Sequence, residues 1–392
     1  MAEDRRHLAL FILGLSGGGA QRRMMTLAHA FAARGHKVDL VVVRSQDPPR
    51  QEISPLVRLV ALDPGWTHLP WVKKGGWALA SIPALARYLR RERPAALLSC
   101  CHLVNVAAPW ARALARVRTR LVLRISNHMS RSALNIQKRF ELWQVRHFYP
   151  WADAIITNSH GVADDVACVT GLPREHITMI YGPVVTPELQ EKLRAPLDHP
   201  WFAPGSPPVL LAVGRLVAQK DFPTLLKAFA RVRAVRPVRL VILGEGKKRT
   251  KLEVLARKLG VAADVDLPGF VLNPFPYMMR ASVFVLSSAW EGLPGVLIEA
   301  MACGCPVVST DCPSGPAEIL GGGAYGPLVP VADDAALAKA ILSVLETPPD
   351  PERLRAQAAL FSVDRATDQY LQVLLGPCRG EQPKNTISHE RR

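Results

Sequence analysis

Two glutamates, Glu291 and Glu299, stand eight positions apart in a segment that could bind a sugar carrying a diphosphate. An apolar run that predicts a strand ends at Ser287, Glu291 follows on a loop, and a helix is predicted to begin near Pro294. Both carboxylates can then face the carboxyl edge of a parallel sheet, where open α/β sheets bind their ligands. Carboxylates accept hydrogen bonds from sugar hydroxyls, and the free N–H groups of a helix N-terminus bind phosphate. The segment therefore favours a nucleotide-sugar site.

Two cations lie on a second predicted loop, within LLAVGRLVAQKD at 210–221. A strand is predicted to end at Gly214, and Arg215 and Lys220 precede the next helix. Arginine can bind a phosphate through two parallel hydrogen bonds, and lysine acts as a mobile point charge. This loop favours a site that neutralises a leaving diphosphate, although a solvated basic loop would have the same composition.

The phrase EGLPGVLIEAMACGCPVVSTDCPSGPAEIL, at 291–320, resembles the signature segment of glycosyltransferase family 4, which are retaining enzymes of the GT-B fold. It is similar to bacterial members that build surface polysaccharides and lipid-linked oligosaccharides. The spacing Glu-x7-Glu carries the resemblance, together with the Arg and Lys of the 210–221 loop. One position departs from several relatives, because Pro294 has no backbone N–H where they have a run of free ones.

The resemblance implies a role for each charged residue. Glu291 would contact the transferred sugar, Glu299 would hold the ribose, and Arg215 and Lys220 would stabilise the leaving diphosphate. The family's retaining reaction has no clear protein nucleophile, and the leaving phosphate assists attack from the same face. We accordingly expect positioning and charge stabilisation from the protein, with no cofactor and no bound metal.

The glycine-rich turn GLSGGGAQR, at 14–22, lies between the first predicted strand and helix. Such a turn lets the backbone approach a ligand closely. The resemblance implies that Gly18 and Gly19 face the donor phosphates or the acceptor, whereas the structural alternative is a tight turn that needs positive φ. The turn does not fit Gly-x-Gly-x-x-Gly, and the second strand ends at Arg44, not at an acidic residue. An NAD-dependent oxidoreductase is therefore only an alternative.

Three further features carry weaker signals. Gly269-Phe270-Val271 resembles the segment whose backbone reads the nucleobase, which makes Val271 a candidate for donor binding. His128, in SNHMS, stands where relatives often carry a residue near the donor sugar, although a lone histidine is more often structural. An aromatic cluster beside two lysines could face an acceptor or a membrane, or could simply pack in a core; it consists of Trp66, Trp71 and Trp77.

Apolar strands alternate with helical segments almost throughout the chain, which predicts parallel sheets covered on both faces. We expect an α/β protein with two Rossmann-like, doubly wound domains that face a central cleft. The predicted organisation is an N-terminal acceptor domain at 1–195, a proline-rich linker at 196–207, a C-terminal nucleotide-sugar domain at 208–362, a helix at 363–375 that could pack back on the N-terminal domain, and a disordered tail at 376–392.

The chain is basic, with 49 Lys and Arg against 33 Asp and Glu and a formal net charge of +16. Such an excess attracts anionic partners, yet the sequence has no zinc-finger spacing or ribonucleoprotein motif, so nucleic acid is not an expected partner. A non-catalytic basic binding protein on the same scaffold is the second alternative.

Location and partners follow from the charge, the hydropathy and the resemblance. No run of about twenty apolar residues predicts a spanning helix, and the seven cysteines include no Cys-x-x-Cys pair. We expect a cytoplasmic enzyme that contacts an anionic inner membrane peripherally. Its donor would be a nucleotide sugar, with UDP favoured over GDP, and its acceptor a glycan or a polyprenyl-diphosphate-linked glycan.

Overall fold

The chain folds into two parallel β-sheets, seen in a computed structural model that describes residues 6–15, 18–44, 53–63, 78–130 and 136–376. Thirteen strands are assigned in this part of the chain. They are β1 His7–Ile12, β2 Lys37–Val42, β3 Val57–Ala61, β4 Ala96–Cys100, β5 Arg120–Ile125, β6 Ala154–Thr157, β7 Ile177–Met179, β8 Val209–Val213, β9 Arg239–Leu243, β10 Val265–Gly269, β11 Val283–Leu286, β12 Val307–Thr310 and β13 Leu328–Val329.

Helices connect most consecutive strands, as parallel pairing requires. They are α1 Gly19–Ala33, α2 Ile82–Glu92, α3 His102–Ala115, α4 Ile136–Phe148, α5 His160–Thr170, α6 Leu189–Leu193, α7 Phe222–Val235, α8 Arg249–Lys258, α9 Phe275–Arg280, α10 Gly295–Ala302, α11 Pro316–Ile319, α12 Asp334–Glu346, α13 Pro351–Ala358 and α14 Val363–Leu374.

Both sheets are doubly wound. The N-terminal sheet has the order β3-β2-β1-β4-β5-β6-β7, and the C-terminal sheet has the order β10-β9-β8-β11-β12-β13. All described strand pairs are parallel, and central strands such as β4 and β12 are buried along their whole length. Helices cover both faces of each sheet, because strands with apolar side chains on both faces must be shielded from water on both faces. The predicted fold class is confirmed.

The carboxyl ends of the two sheets face each other across a cleft. The hydroxyls of Ser159, after β6, and Ser314, after β12, lie 2.6 Å apart. The carboxylate of Glu318 accepts hydrogen bonds from the amides of His160 and Gly161, at the first turn of α5. A carboxylate at a helix N-terminus is favourable to the helix dipole, so Glu318 joins the two domains at a natural anion site.

The chain enters the C-terminal core earlier than the proline-rich segment at 196–207. Val184, Leu189 and Leu193 pack with the buried residues of the second domain, although the sequence analysis placed them in the first. The last two lie four residues apart on α6, a helix of five residues that is too short for its apolar period to be noticed. The linker segment itself contains one 3-10 turn, Pro200–Phe202.

The chain then returns to the N-terminal domain beside its first crossing. Val185 pairs with Ser362 in an isolated parallel bridge, and the amide of Val363 donates to the Val185 carbonyl. Helix α14 follows and packs against the N-terminal sheet, with Ala366, Tyr370 and Leu374 in the same buried cluster as β1 and β2. Two chain segments therefore connect the domains side by side.

A buried polar contact fastens α14 to the sheet. Nε of Arg124, on β5, donates to the hydroxyl of Tyr370 at 2.9 Å, and both side chains are fully buried. Nε of Arg120 donates to the carbonyl of Val373. The predicted tail beyond residue 376 and the cluster of Trp66, Trp71 and Trp77 lie outside the described residues.

Tyr370→Phe is expected to lower the free energy of unfolding by about 1–3 kcal/mol, because it leaves a buried guanidinium donor without its acceptor. Urea denaturation measures the change. Asp368→Ala is the matched control, since it breaks an exposed ion pair between the same helix and Arg34. That loss should stay below about 1 kcal/mol. Equal destabilisation by the two variants would contradict the importance of the buried contact.

Candidate active site

Three glycine turns at the carboxyl ends of β8, β9 and β10 pack backbone against backbone. A methyl group at Gly244, whose φ is 141°, would collide with the Gly214 carbonyl, and one at Gly246 would lie 2.5 Å from the Leu216 carbonyl oxygen. The amide of Gly244 donates to the Gly269 carbonyl at 2.7 Å. Only glycine fits such close approaches, so these turns pack tightly against one another beside the loop that carries Arg215.

Glu291 lies on the loop after β11 and is buried. Its Oε1 accepts from Lys220 Nζ at 2.6 Å and from Ser288 Oγ at 2.7 Å. The amide of Ala289 donates to the Gln219 carbonyl, and Gln219 Nε2 donates to the Trp290 carbonyl. Hydrogen bonds thus hold the loops after β8 and β11 together and bring the predicted cation and the first predicted carboxylate into contact.

Glu299, the second carboxylate, lies on α10 and is only 3% exposed. Its Oε1 accepts from Arg23 Nη2 at 2.7 Å and from Arg22 Nη2 at 3.0 Å, both on α1 of the other domain. Its Oε2 is buried and has no hydrogen-bond partner within the described part of the chain. A buried polar atom without a partner is rare, so this oxygen is an acceptor that a ligand hydroxyl could satisfy.

Arg22 and Arg23 are site residues that the sequence analysis did not assign. The guanidinium of Arg23 lies against Gly295 at the start of α10, and its burial lowers the pKa of this group against the opposing effect of Glu299. The available signal was a pair of consecutive cations in the first turn after a glycine-rich loop. It could not show that both point across a cleft to a residue 276 positions away.

Gly18 and Gly19 begin α1 at the carboxyl end of β1. Gly18 is the N-cap with φ −77°, and neither glycine has positive φ. An added Cβ at either position would meet no atom within 4 Å. Neither the turn's conformation nor internal packing requires glycine at these two positions, which leaves open space beside the backbone for a ligand.

The loop after β5 contacts the Glu291 loop directly. A methyl group at Gly292 would collide with the Ser126 carbonyl oxygen, so these backbones touch across the cleft. His128 follows two residues later and is buried, with Nδ1 3.6 Å from Asp165 Oδ1. That distance is beyond a hydrogen bond, and neither ring nitrogen has a hydrogen-bond partner among the described residues.

Asp165 anchors this loop. Its burial opposes ionisation, but His128, Ser130 and the Met129 amide together bring the pKa of its carboxyl down to about 2. The carboxylate accepts hydrogen bonds from the Met129 and Ser130 amides. The loop is therefore held in place, and the ring nitrogens of His128 stay buried and without a hydrogen-bond partner among the described residues.

The two remaining predicted site residues, Arg215 and Val271, are more exposed to solvent than the two glutamates. Arg215 is exposed at the end of β8, close along the chain to Gly214. Val271 follows β10 and is half-buried against the C-terminal core, between the exposed side chains of Phe270 and Leu272. Both belong to loops at the same carboxyl edge that presents Lys220 and Glu291.

One group of three possible metal ligands occurs among the described residues, and it lies away from the cleft. His7, Asp39 and Glu92 have their ligand atoms within 4.8 Å of one another, near the amino ends of β1 and β2. Arg58 already donates to Asp39 at 2.8 Å and lies 2.9 Å from Glu92. Despite burial, hydrogen bonds from His7, Arg58 and Tyr88 hold the pKa of Asp39 well below its usual range. This is a neutralised structural cluster.

Two family models match the chain, one to each domain. The amino half matches Glycosyltransferase Family 4 over residues 17–187. The carboxyl half matches Glycosyl transferases group 1 over residues 196–361. The boundary between the two matches falls in the region where the chain passes between the domains.

Known proteins resemble the chain over nearly its whole length. It is 28% identical over 346 residues to the N-acetylgalactosamine-N,N'-diacetylbacillosaminyl-diphospho-undecaprenol 4-alpha-N-acetylgalactosaminyltransferase of Campylobacter jejuni, covering 86% of this chain and 90% of that protein. It is 30% identical over 400 residues to glycogen synthase of Mycobacterium tuberculosis, covering 93% and 92%. The structure of Anabaena HepE in complex with UDP-glucose has the same fold, with a TM-score of 0.74, 19% identity, and coverage of 94% of this chain and 99% of that chain.

The family and the enzyme class expected from the Glu-x7-Glu segment are confirmed by these matches, whereas the oxidoreductase and the non-catalytic alternatives find no support in them. With matched models on both halves and a relative 30% identical along almost the entire chain, this protein belongs to glycosyltransferase family 4 and is a glycosyltransferase of the GT-B fold.

Proposed function

We propose that this enzyme is a retaining glycosyltransferase that moves a hexose or an N-acetylhexosamine from a nucleotide-diphosphate sugar to a glycan or lipid-linked acceptor. The reaction would belong to bacterial polysaccharide or glycoconjugate biosynthesis. The observation that carries the donor assignment is the unpartnered, buried Oε2 of Glu299 on α10. UDP is favoured over GDP because a structural neighbour was solved with UDP-glucose.

Each polar group at the carboxyl edge has a role in this proposal. Glu299 accepts a hydrogen bond from a ribose hydroxyl, and the backbone near Val271 contacts the base. Glu291 accepts from hydroxyls of the transferred sugar. Lys220, 2.6 Å from Glu291, then lies where sugar and diphosphate join, and Arg215 adds the second positive charge. In this proposal the carboxylates bind hydroxyls and the cations bind phosphate, and Lys220 contacts both Glu291 and the diphosphate.

The N-terminal domain supplies the acceptor side. Gly18 and Gly19 leave open space beside the start of α1, and His128 presents an unpartnered imidazole. Ribose binding at Oε2 of Glu299 would leave the ion pairs of Oε1 with Arg22 and Arg23 in place. Donor binding and domain contact would then meet at the same carboxylate.

The proposed transfer reaction needs no nucleophile from the protein. The acceptor hydroxyl attacks the anomeric carbon as the bond to the diphosphate oxygen breaks, and the hydroxyl proton passes to the leaving phosphate. Attack and departure occur on the same face, which retains the anomeric configuration. The protein contributes orientation and stabilisation of the negative charge that develops on the leaving group. We propose that no metal or other cofactor is needed, since Lys220 and Arg215 supply the charge.

Location completes the proposal. Within the described ranges, no helix is long and apolar enough to cross a bilayer. The Campylobacter relative is named for an undecaprenol-linked acceptor. The name of this relative and the net charge of +16 support our proposal that the enzyme binds the cytoplasmic face of the inner membrane peripherally.

Glu291→Gln and Glu299→Gln are each expected to reduce sugar transfer from the best UDP-sugar by two orders of magnitude or more, roughly the scale of removing one electrostatic catalytic contact. Radiolabelled transfer assays measure the loss, and thermal melting checks the fold. Glu318→Gln is the matched control. This glutamate of α11 also joins the domains, but its carboxylate contacts the first turn of α5. Near-normal transfer by both site variants would refute the assignment.

Arg215→Ala and Lys220→Ala are expected to weaken binding of UDP by about 1.5–3 kcal/mol each, the usual cost of a lost charge-assisted hydrogen bond. Isothermal titration calorimetry with UDP and GDP measures both affinities and also tests the nucleotide preference. Lys227→Ala, on the exposed side of α7, removes the same charge away from the cleft. If all three variants bound UDP equally well, the diphosphate would have to lie elsewhere.

A further inference from the structure

An exposed cluster of aromatic rings covers the outer side of α3 and α4. Four large side chains in it remain between 42% and 57% exposed. This aromatic patch consists of Trp110, Phe140, Trp143 and Trp151, arranged around the half-buried Phe148.

The rings of the aromatic patch touch in an unbroken series. Phe140 stacks on Trp143 at 5.8 Å between centroids, Trp143 meets Phe148 at 5.7 Å, and Phe148 meets Trp151 at 5.6 Å. Trp110 closes the group, 5.2 Å from Trp151. Leu114, one helical turn after Trp110, is also exposed. Single exposed apolar residues are ordinary, but a contiguous group of large ones marks an interaction surface.

The chain segment that carries the aromatic patch is rich in positive charge. Residues 101–150 contain nine Lys and Arg and one acidic residue, Glu141, although Arg120 and Arg124 are buried on β5. Arg116, Arg139 and Arg146 are exposed, whereas Arg112 is neutralised by Asp153. The basic residues of α2 are less available to an anionic partner, because Arg90 caps the last carbonyls of α3 and Arg91 contacts Glu92.

Half-exposed tryptophans within a basic rim match the boundary of an anionic bilayer. Tryptophan is favoured at the level of the headgroups, where its ring is partly wet, and nearby arginines pair with lipid phosphates. A protein partner would need matching acidic groups and would usually bury its aromatic anchors in pockets, whereas these rings lie on the outer side of two helices. The observations therefore favour a lipid surface.

The patch runs along the outer side of the N-terminal domain. Helix α4 follows β5, so its first turn lies on the side of the domain where the strands end at the cleft. The patch extends from this helix to Trp151 near the start of β6. Trp110, in the second half of α3, and Trp151 lie towards the amino edge of the sheet, so a bilayer in contact with the patch would lie alongside the N-terminal domain.

We propose that the aromatic patch on α3 and α4 is the surface by which this enzyme docks on an anionic phospholipid bilayer. This inference rests on the proposed function, since a lipid-linked acceptor is what brings the enzyme to a membrane. The tryptophans insert at the headgroup level, and Arg139 and Arg146 bind the lipid phosphates beside them. Donor binding in the other domain is independent of this contact.

Co-sedimentation with vesicles of phosphatidylcholine alone, or mixed with phosphatidylglycerol, tests the proposal with the full chain. The wild type should pellet with the anionic vesicles only. Phe140→Ser/Trp143→Ser should lower the partition coefficient on the order of ten-fold or more, because two large apolar side chains no longer insert. Leu56→Ser/Val235→Ser is the control at two apolar positions that are still more exposed but lie outside the patch, and it should partition like the wild type.

A second pair of variants tests the charge contribution. Arg139→Gln/Arg146→Gln should weaken anionic binding by roughly five-fold for each arginine, which corresponds to about 1 kcal/mol near such a surface. Arg257→Gln/Lys258→Gln, in the last turn of α8, removes the same charge from the C-terminal domain and should have little effect. Brominated phosphatidylglycerol should quench the wild-type fluorescence more than that of Trp143→Phe.

Three results would overturn the proposal: unchanged vesicle binding by the aromatic variant, equal binding of neutral and anionic vesicles by the wild type, or a dimer in sedimentation velocity that only the aromatic variant disrupts. Binding of a UDP-sugar, followed by calorimetry, keeps this test separate from the proposed function. If vesicle binding depended on the patch but no UDP-sugar bound, the proposed donor would be refuted and the docking surface would still be supported.

Discussion

Glu291 and Glu299 are buried carboxylates, and such groups are stable only where hydrogen-bond donors reach them. Lys220 and Ser288 satisfy the first from within its own domain, and Arg22 and Arg23 satisfy the second from across the cleft. Because of the second pairing, the contact between the domains also neutralises the charge of Glu299. A ligand hydroxyl that binds the unpartnered Oε2 of Glu299 would therefore contact a carboxylate whose other oxygen is held by α1 of the opposite domain.

Two chain segments connect the domains. The two crossing segments run beside each other at Val185 and Ser362, so a rotation about them would change the cleft while leaving both sheets intact. Helix α14 extends the C-terminal part of the chain onto the N-terminal sheet and is fastened by the contact of Arg124 with Tyr370. The contacts that can exchange, such as those of Glu318 and Ser314, are polar and lie at the cleft edges.

The positive charge of the chain has several structural uses, which composition alone does not separate. Arg124 is buried, Arg90 caps a helix, and Arg58 neutralises Asp39 and Glu92. Lys220 contacts Glu291, Arg22 and Arg23 contact Glu299, and a third set of cations lies beside the aromatic patch. A net charge of +16 is therefore the sum of groups with different partners, and only the exposed ones can attract a membrane.

Local patterns in the sequence determined the alternation of strands and helices, the loop positions of Glu291, Arg215 and Lys220, and the family, because side-chain periodicity and short motifs are properties of neighbouring residues. Short elements such as β7 and α6 were missed, since three to five residues give too little periodicity. The tertiary structure alone decided that Arg22 and Arg23 bind Glu299, that Val184 belongs to the second core, and that Trp110 joins Trp143 and Trp151 in one patch. These pairings join residues far apart along the chain, and their energy depends on how the two sheets and their helices pack, which no local window of sequence contains.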